Sequence, residues 1–269
     1  MKNSFLLFAL LFLISSFAMV ADDTRYRVVK HNGFTRGEKL TYLVNYGFVN
    51  AGEATVEMNP NLFTLNDRPC YKVDIKGKTI GLITTMFDVD DTWTSYIDTA
   101  AIIPHQFARK IKENNYRKDE VTFFDHIKKK AIVKSVTGND PEVKKDFEIP
   151  TNVQDMVSGY YFIRTLNFDQ YRVKDTIAID GFFEDKVYNM KVVYKGKEKL
   201  QTKFGRISTA VLSPIMPENA LFDGRDAIRF YVSDDLNRVP VKIEARMFVG
   251  AIELNLIDHK GLSHKFNKK

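Results

Sequence analysis

Apolar and polar residues alternate with period two along most of this chain. Val239, Val241, Ile243, Ala245 and Met247 interleave with Pro240, Lys242, Glu244 and Arg246, which predicts a strand with one buried and one wetted face. Upstream, "IRFYV" is rich in β-branched and aromatic residues, and the intervening "SDDLNR" carries the Ser, Asp and Asn that favour tight turns. Asp234 and Asp235 are therefore expected to turn the chain, not to act as catalytic acids. Pro240 cannot donate to a ladder, so it belongs at a strand start or an edge. "SYIDTAAIIPHQFARKI" repeats this order, with Asp98 before the turn and Pro104 after it.

Further strands are predicted at "EKLTYLVNYG", "AGEATVEM", "CYKVDIKG", "DEVTFFD", "KAIVKSV" and "VKKDFEI", and after residue 170 at "DTIAIDGFF", "KVYNMKVVYKG", "GRISTAVLS" and "AIELNLI". Many short strands at close spacing argue for an antiparallel sheet that curves. One segment breaks the period. Thr151 and Gln154 fit a Thr-x-x-Gln capping box, and Val153, Met156, Val157, Tyr160 and Tyr161 follow at helical spacing. Phe162, Ile163 and Leu166 widen that apolar stripe almost all round, as in a buried helix. The expected fold is mainly β, a strongly curved antiparallel sheet, an incomplete or half barrel, wrapped around one central α-helix. A second, shorter helical turn is expected near Ile80 to Met86. Charged residues at alternate positions leave no outer apolar band, which argues against a membrane barrel.

The N-terminus changes the picture of where this domain works. Lys2, the apolar Phe5 to Ile14 and the small-x-small Ser16-Phe17-Ala18 have the layout of a secretory signal peptide, residues 1–21, cleaved after Ala18 or Ala21. Residues 22–269 then form a single β-rich domain. Cys70 is the one cysteine and does not follow the cleavage site, so neither a lipid anchor of the lipoprotein type nor an internal disulfide is expected. No later apolar run has membrane length. The formal charge of +6 is spread among acids, and the densest basic run, "HIKKKA", falls in an expected turn. A nucleic-acid partner is not expected.

Motifs for chemistry are incomplete. "GKT" at residues 77–79 has Lys72 where a phosphate-binding loop needs glycine. "DVDDTW" has Trp93 where a calcium loop needs glycine and Thr99 where it needs glutamate. His31, His105, His126, His259 and His264 are dispersed, and Ser158 lies in no nucleophile elbow. No catalytic residue, metal or cofactor is expected. What stands out is 21 Phe and 12 Tyr beside a single Trp. A curved sheet that fails to close leaves an apolar groove against its helix, and Trp93, Met156, Tyr160 and Tyr161 are the candidates to line it. The alternative is that they only fill the core.

"GEKLTYLVNYGFVNAGEATVEM" (37–58), "DDTWTSYID", "PHQFARKI", "VQDMVSGYYFIR" (153–164) and "YVSDDLNRVPVKIEA" resemble the DUF3108 family from about Gly37 to Ile257. The resemblance implies export in a Gram-negative bacterium, Bacteroidetes among them, and carries no established activity or catalytic residues. "YVSDDLNRVPVKIEA" is also similar to hairpins of periplasmic lipoprotein carriers of the LolA and LolB type. That similarity implies an incomplete barrel with an apolar cavity. The function expected is a periplasmic, non-enzymatic binding or carrier protein for an apolar or amphipathic envelope molecule. Alternatives are an interaction protein of envelope assembly without a small ligand, or an enzyme acting on envelope glycans or lipids.

Overall fold

The computed structural model describes residues 26–215 and 226–266; the expected signal peptide lies outside them. Among the described residues, fourteen strands form one sheet. They are β1 (Lys39–Tyr46), β2 (Val49–Leu65), β3 (Arg68–Thr79), β4 (Asp90–Asp98), β5 (Pro104–Glu113), β6 (Tyr116–Asp125), β7 (Lys130–Thr137) and β8 (Val143–Glu148), then β9 (Thr176–Phe183), β10 (Lys186–Thr202), β11 (Gly205–Pro214), β12 (Ile228–Ser233), β13 (Pro240–Arg246) and β14 (Ala251–Lys260). Each strand pairs antiparallel with its neighbours in sequence, except that β8 and β9 do not pair, and β1 pairs with β14. The sheet is therefore one curled meander with β8 and β9 as its edges.

Unpaired edges invite aggregation, and both are blunted. Lys144 and Lys145 stand on β8. On β9, Gln154 takes the ladder: its amide donates to the Asp180 carbonyl and its carbonyl accepts from Phe182 N, both at 2.8 Å. The edges meet through side chains, with the Phe147 and Phe182 rings 5.4 Å apart and Lys145 Nζ 2.7 Å from Asp185 Oδ2.

The two proline hairpins form as the residue pattern predicts. Asp98 Oδ1 accepts from the Ala100 and Ala101 amides, and Asp235 Oδ1 accepts from the Asn237 and Arg238 amides and from Ser233 Oγ. Pro104 and Pro240 each begin their strand, opposite Ile97 and Val232, directly after a shift in register. Asp234 accepts from Lys197 Nζ at 2.9 Å. The acidic pair turns the chain.

The short helix α1 spans Leu82–Met86, as expected. The central helix α2 spans Met156–Ile163 and starts later than Thr151. Asn152 adopts a φ of 62°, and the backbone of Gln154 is engaged by β9, so neither Thr151 nor Gln154 can cap it. The N-cap is Asp155, whose carboxylate accepts from the Val157 and Ser158 amides while Ser158 Oγ accepts from the Asp155 amide. Ser95 Oγ of β4 donates to the same carboxylate at 2.6 Å, which fixes the start of α2 against the concave face. Burial pushes the Asp155 carboxyl up to about 6, against those hydrogen bonds.

Val157, Ser158 and Tyr161 form the buried face of α2, inside a core that runs from Leu40 and Met58 through Val73 and Ile97 to Val241 and Leu256. A second core was not legible beforehand. The chain after α2 runs along β9–β12, where Phe168 packs with Ile177, Tyr194, Leu212 and Val232. Strand β11 is buried on both faces from Thr209 to Pro214. Among the described residues, no helix is long and apolar enough to cross a membrane.

Candidate functional site: the concave face

Side chains on the concave face alternate with those outside, so each strand presents a column of inward residues. Toward the end of the sheet that holds α2, these columns are closed: Leu40, Met58, Val73, Ser95 and Ile97 are fully buried. Toward the other end, inward apolar residues of the same sheet are only partly buried. They are Ala54 on β2, Ile75 on β3, Trp93 on β4 and Leu254 on β14, all packed against the main core. The helix and the N-terminal segment cover one half of the curl and leave the apolar residues of the other half, the trough, partly exposed.

The Trp93 indole packs beside Gly77 in this trough, where a Cβ would stand in ordinary contact with the ring at 3.5 Å. Beyond Trp93 the wall becomes polar. Arg109, opposite Trp93 in register, donates from Nε and Nη2 to the two carboxylate oxygens of Glu120 at 2.8 and 3.2 Å. Glu184, from the turn after β9, reaches its Nη1 at 3.3 Å. Both members of the Arg109–Glu120 pair are nearly buried. Burial lowers the guanidinium's pKa, and the two glutamates more than offset it, so Arg109 stays charged. One wall of the trough is apolar and the other carries fixed charge.

The four candidate residues divide. Trp93 is in the trough. Met156 and Tyr160 are one helical turn apart on the same face of α2, Met156 53% exposed and Tyr160 partly buried. Tyr160 shares a hydrogen bond of 2.9 Å with Tyr42, whose hydroxyl also lies 2.9 Å from the Pro240 carbonyl. Tyr161 is fully buried on the adjoining face of α2, with its ring 5.2 Å from that of Tyr160 and 4.7 Å from that of Phe34, and its hydroxyl toward Glu38. It packs where the N-terminal segment covers the helix.

Sequence reasoning missed the buried charge behind that face. Arg164, the C-cap of α2, is wholly buried and pairs with both carboxylate oxygens of Glu38. It also donates to the carbonyls of Gly33 at 2.9 Å and Asn237 at 3.1 Å. The only signal was an arginine ending an otherwise apolar helix.

The arrangement closest to catalytic geometry lies at the β4–β5 turn. Asn66 Nδ2 donates to His105 Nδ1 at 3.1 Å, leaving His105 Nε2 to donate to Asp98 at 3.3 Å. Burial pushes the Asp98 carboxyl up, but His105, Arg68 and the Ala101 and Ala100 amides together hold it well below the usual carboxylate range. Cys70 stands opposite Asp98 in register, yet burial pushes its thiol up to about 12, with the Asp98 charge adding to the effect. A protonated thiol is a poor nucleophile, so the cluster builds a turn. Beside it, outside the sheet, Leu65, Asn66, His105, Phe123 and Lys130 border a pocket of about 390 Å³. None of the four candidate residues reaches it. Among the described residues no group of three or more His, Cys, Asp and Glu could hold a metal ion.

His126 supplies a pH test of this region. Its Nε2 donates to the Pro104 carbonyl at 2.7 Å, and its Nδ1 is buried without a partner. Burial pushes the imidazole down to about 4 from 6.5, although the bond to Pro104 opposes this. The unfolded chain therefore takes a proton that the folded one refuses, so stability falls as pH drops from about 6.5 toward 4. In urea denaturation, the stability of the native protein relative to His126→Gln is expected to decline by roughly 3 kcal/mol across that window. A constant difference would show that His126 is not held neutral.

The family described as "Protein of unknown function (DUF3108)" matches residues 41–257. No curated protein matches the sequence. Among solved structures, the chain is similar to a "Beta-barrel-like Protein of Domain of Unknown Function DUF1849 from Brucella abortus", with a TM-score of 0.56, 12% identity and coverage of 87% of this chain and 98% of that one. At that identity the likeness concerns the fold alone. The curled sheet around α2, with its proline hairpins, extends over nearly the whole matched span, and the chain belongs to the DUF3108 family.

Proposed function

We propose that this protein is a non-enzymatic binding or carrier protein of the periplasm, holding an apolar or amphipathic envelope molecule in the trough between the curled sheet and α2. The observation that carries this reading is the contrast along the concave face. Inward residues are fully buried in one half and partly exposed in the other, although both halves are apolar. An apolar concavity with a few fixed polar groups at its side is the usual form of a ligand site. In this reading Trp93, Ile75 and Leu254 wall the trough, and the Met156–Tyr160 face of α2 forms its floor. An apolar chain would lie against β14, β2 and β3, while a polar group would face the Arg109–Glu120 wall. Burial of ligand surface supplies the affinity, about 25 cal/mol per Å² before the costs of ordering.

Trp93 is the sole tryptophan, so its emission reports on the trough directly. Titration with N-phenyl-1-naphthylamine is expected to quench Trp93 while the probe's own emission rises to saturation. If neither signal changes in folded protein, the trough takes no apolar ligand and this reading fails.

A further inference from the structure

The end of the sheet away from α2 carries three adjacent connections: β3–β4, β1–β2 and β13–β14, consecutive around the rim. Turns ordinarily hold Gly, Asn, Asp and Ser, as do the turns across the same rim, at Asn114–Asn115, Asn139–Asp140 and Glu184–Asp185. These three differ. Residues 40–52, 79–87 and 247–252 contain no Asp, Glu, Lys or Arg, in a chain that is 28% charged. Their tips are apolar and protrude: Phe48 is 109% exposed, Leu82 83%, Met86 80% and Val249 75%, with Val49 and Phe248 also exposed.

The three tips are held together. Gly47 N donates to the Ala251 carbonyl and Ile80 N to the Ala51 carbonyl, each at 3.1 Å, and the Tyr46 hydroxyl donates to the Val249 carbonyl at 2.9 Å. Side chains exposed on such a braced frame lose water contact only when something outside covers them. We infer that this rim docks the protein on a phospholipid bilayer surface by inserting its three apolar tips.

The form of the rim favours a bilayer over a protein partner. Protein interfaces need a continuous, complementary patch with an apolar centre and a polar border. Here the exposed apolar side chains belong to three loop tips with no charged residue among them to form a polar border, and a fluid apolar phase can close around such tips without a matching relief. Charge returns directly below, where Glu53 lies opposite Lys78 in the β2–β3 register. Insertion therefore stops at the tips, at the depth of interfacial helices, roughly 5–10 Å. Because β14, β2 and β3 also supply the apolar wall of the trough, the trough opens toward the docked membrane. The docking itself stands independently of ligand binding.

The test is flotation with vesicles of phosphatidylethanolamine and phosphatidylglycerol, using protein exported with its own N-terminal segment and checked by mass, so that all variants share one N-terminus. Native protein is expected to float with the vesicles. Phe48→Asp and Phe248→Asp should each reduce the bound fraction about tenfold, and the pair should abolish it with an unchanged melting temperature. Phe48→Ser with Phe248→Ser gives the same readout should the aspartates perturb folding. Val28→Asp, exposed on the segment that bonds to the β4–β5 turn at the opposite end, should leave flotation intact. Native protein that fails to float, or a double variant that floats as well as native, overturns the inference. Uptake of N-phenyl-1-naphthylamine should be unaffected in the rim variants, which separates the two readings.

Discussion

Arg164→Leu is expected to cost about 3–5 kcal/mol of stability. The guanidinium is wholly buried, and its removal strands the Glu38 carboxylate and the carbonyls of Gly33 and Asn237 without their donor. The loss also spreads through the chain. Gly33 and Glu38 belong to the N-terminal segment, Arg164 ends α2, and Asn237 lies in the β12–β13 turn. Asn237 in turn exchanges two hydrogen bonds with His264 near the C-terminus. The contact is close enough that a Cβ on Gly33 would fall 2.9 Å from the Arg164 carbonyl. Combining Arg164→Leu with Glu38→Leu removes both charges and should restore part of the loss, because an unpaired buried charge costs more than an absent pair. Urea denaturation of the two variants checks this. A single variant within 1 kcal/mol of native would mean that water reaches the pair.

Ala54→Arg is expected to reduce affinity for N-phenyl-1-naphthylamine about tenfold or more while changing stability by less than about 1 kcal/mol. Ala54 points into the trough, is partly exposed, and lies opposite Gly77, over which Trp93 rests. An arginine there has room to reach water, and it lays a charge across the apolar floor. Val73→Arg puts the same charge on the same face, but in the half that α2 closes. It should unfold the protein, because a buried charge with no partner is costly. The contrast between these variants, read by thermal melting and probe titration together, tests the division of the concave face. If Ala54→Arg also unfolds the protein, the half of the concave face away from α2 is packed core and no trough exists.

The strands and hairpins were legible because their information is local. Alternation places Val241 inward and Glu244 outward, and Asp98 and Asp235 secure their turns through amides two and three residues away. The start of α2 was misplaced because what decides it is distant. Gln154 is drawn into the ladder by Asp180 and Phe182, and Asp155 gains Ser95 as a partner across 60 residues. A local rule cannot see either contact.

The candidate site was legible only in part for the same reason. Apolar spacing brought Met156, Tyr160 and Tyr161 onto one helix, but which side faces the core depends on where Phe34 docks. The Glu38–Arg164 pair joins residues 126 positions apart and leaves no periodic trace. The charge-free runs of the rim carry no meaning of their own in the sequence; that meaning comes only from the sheet order that makes β3–β4, β1–β2 and β13–β14 neighbours.

The measurement that tests the binding reading most directly is mass spectrometry of an organic extract from protein purified out of its native envelope without detergent. The trough predicts one apolar or amphipathic molecule, present near stoichiometry with the protein and reduced in Ala54→Arg. Folded native protein that yields no such molecule would contradict the account.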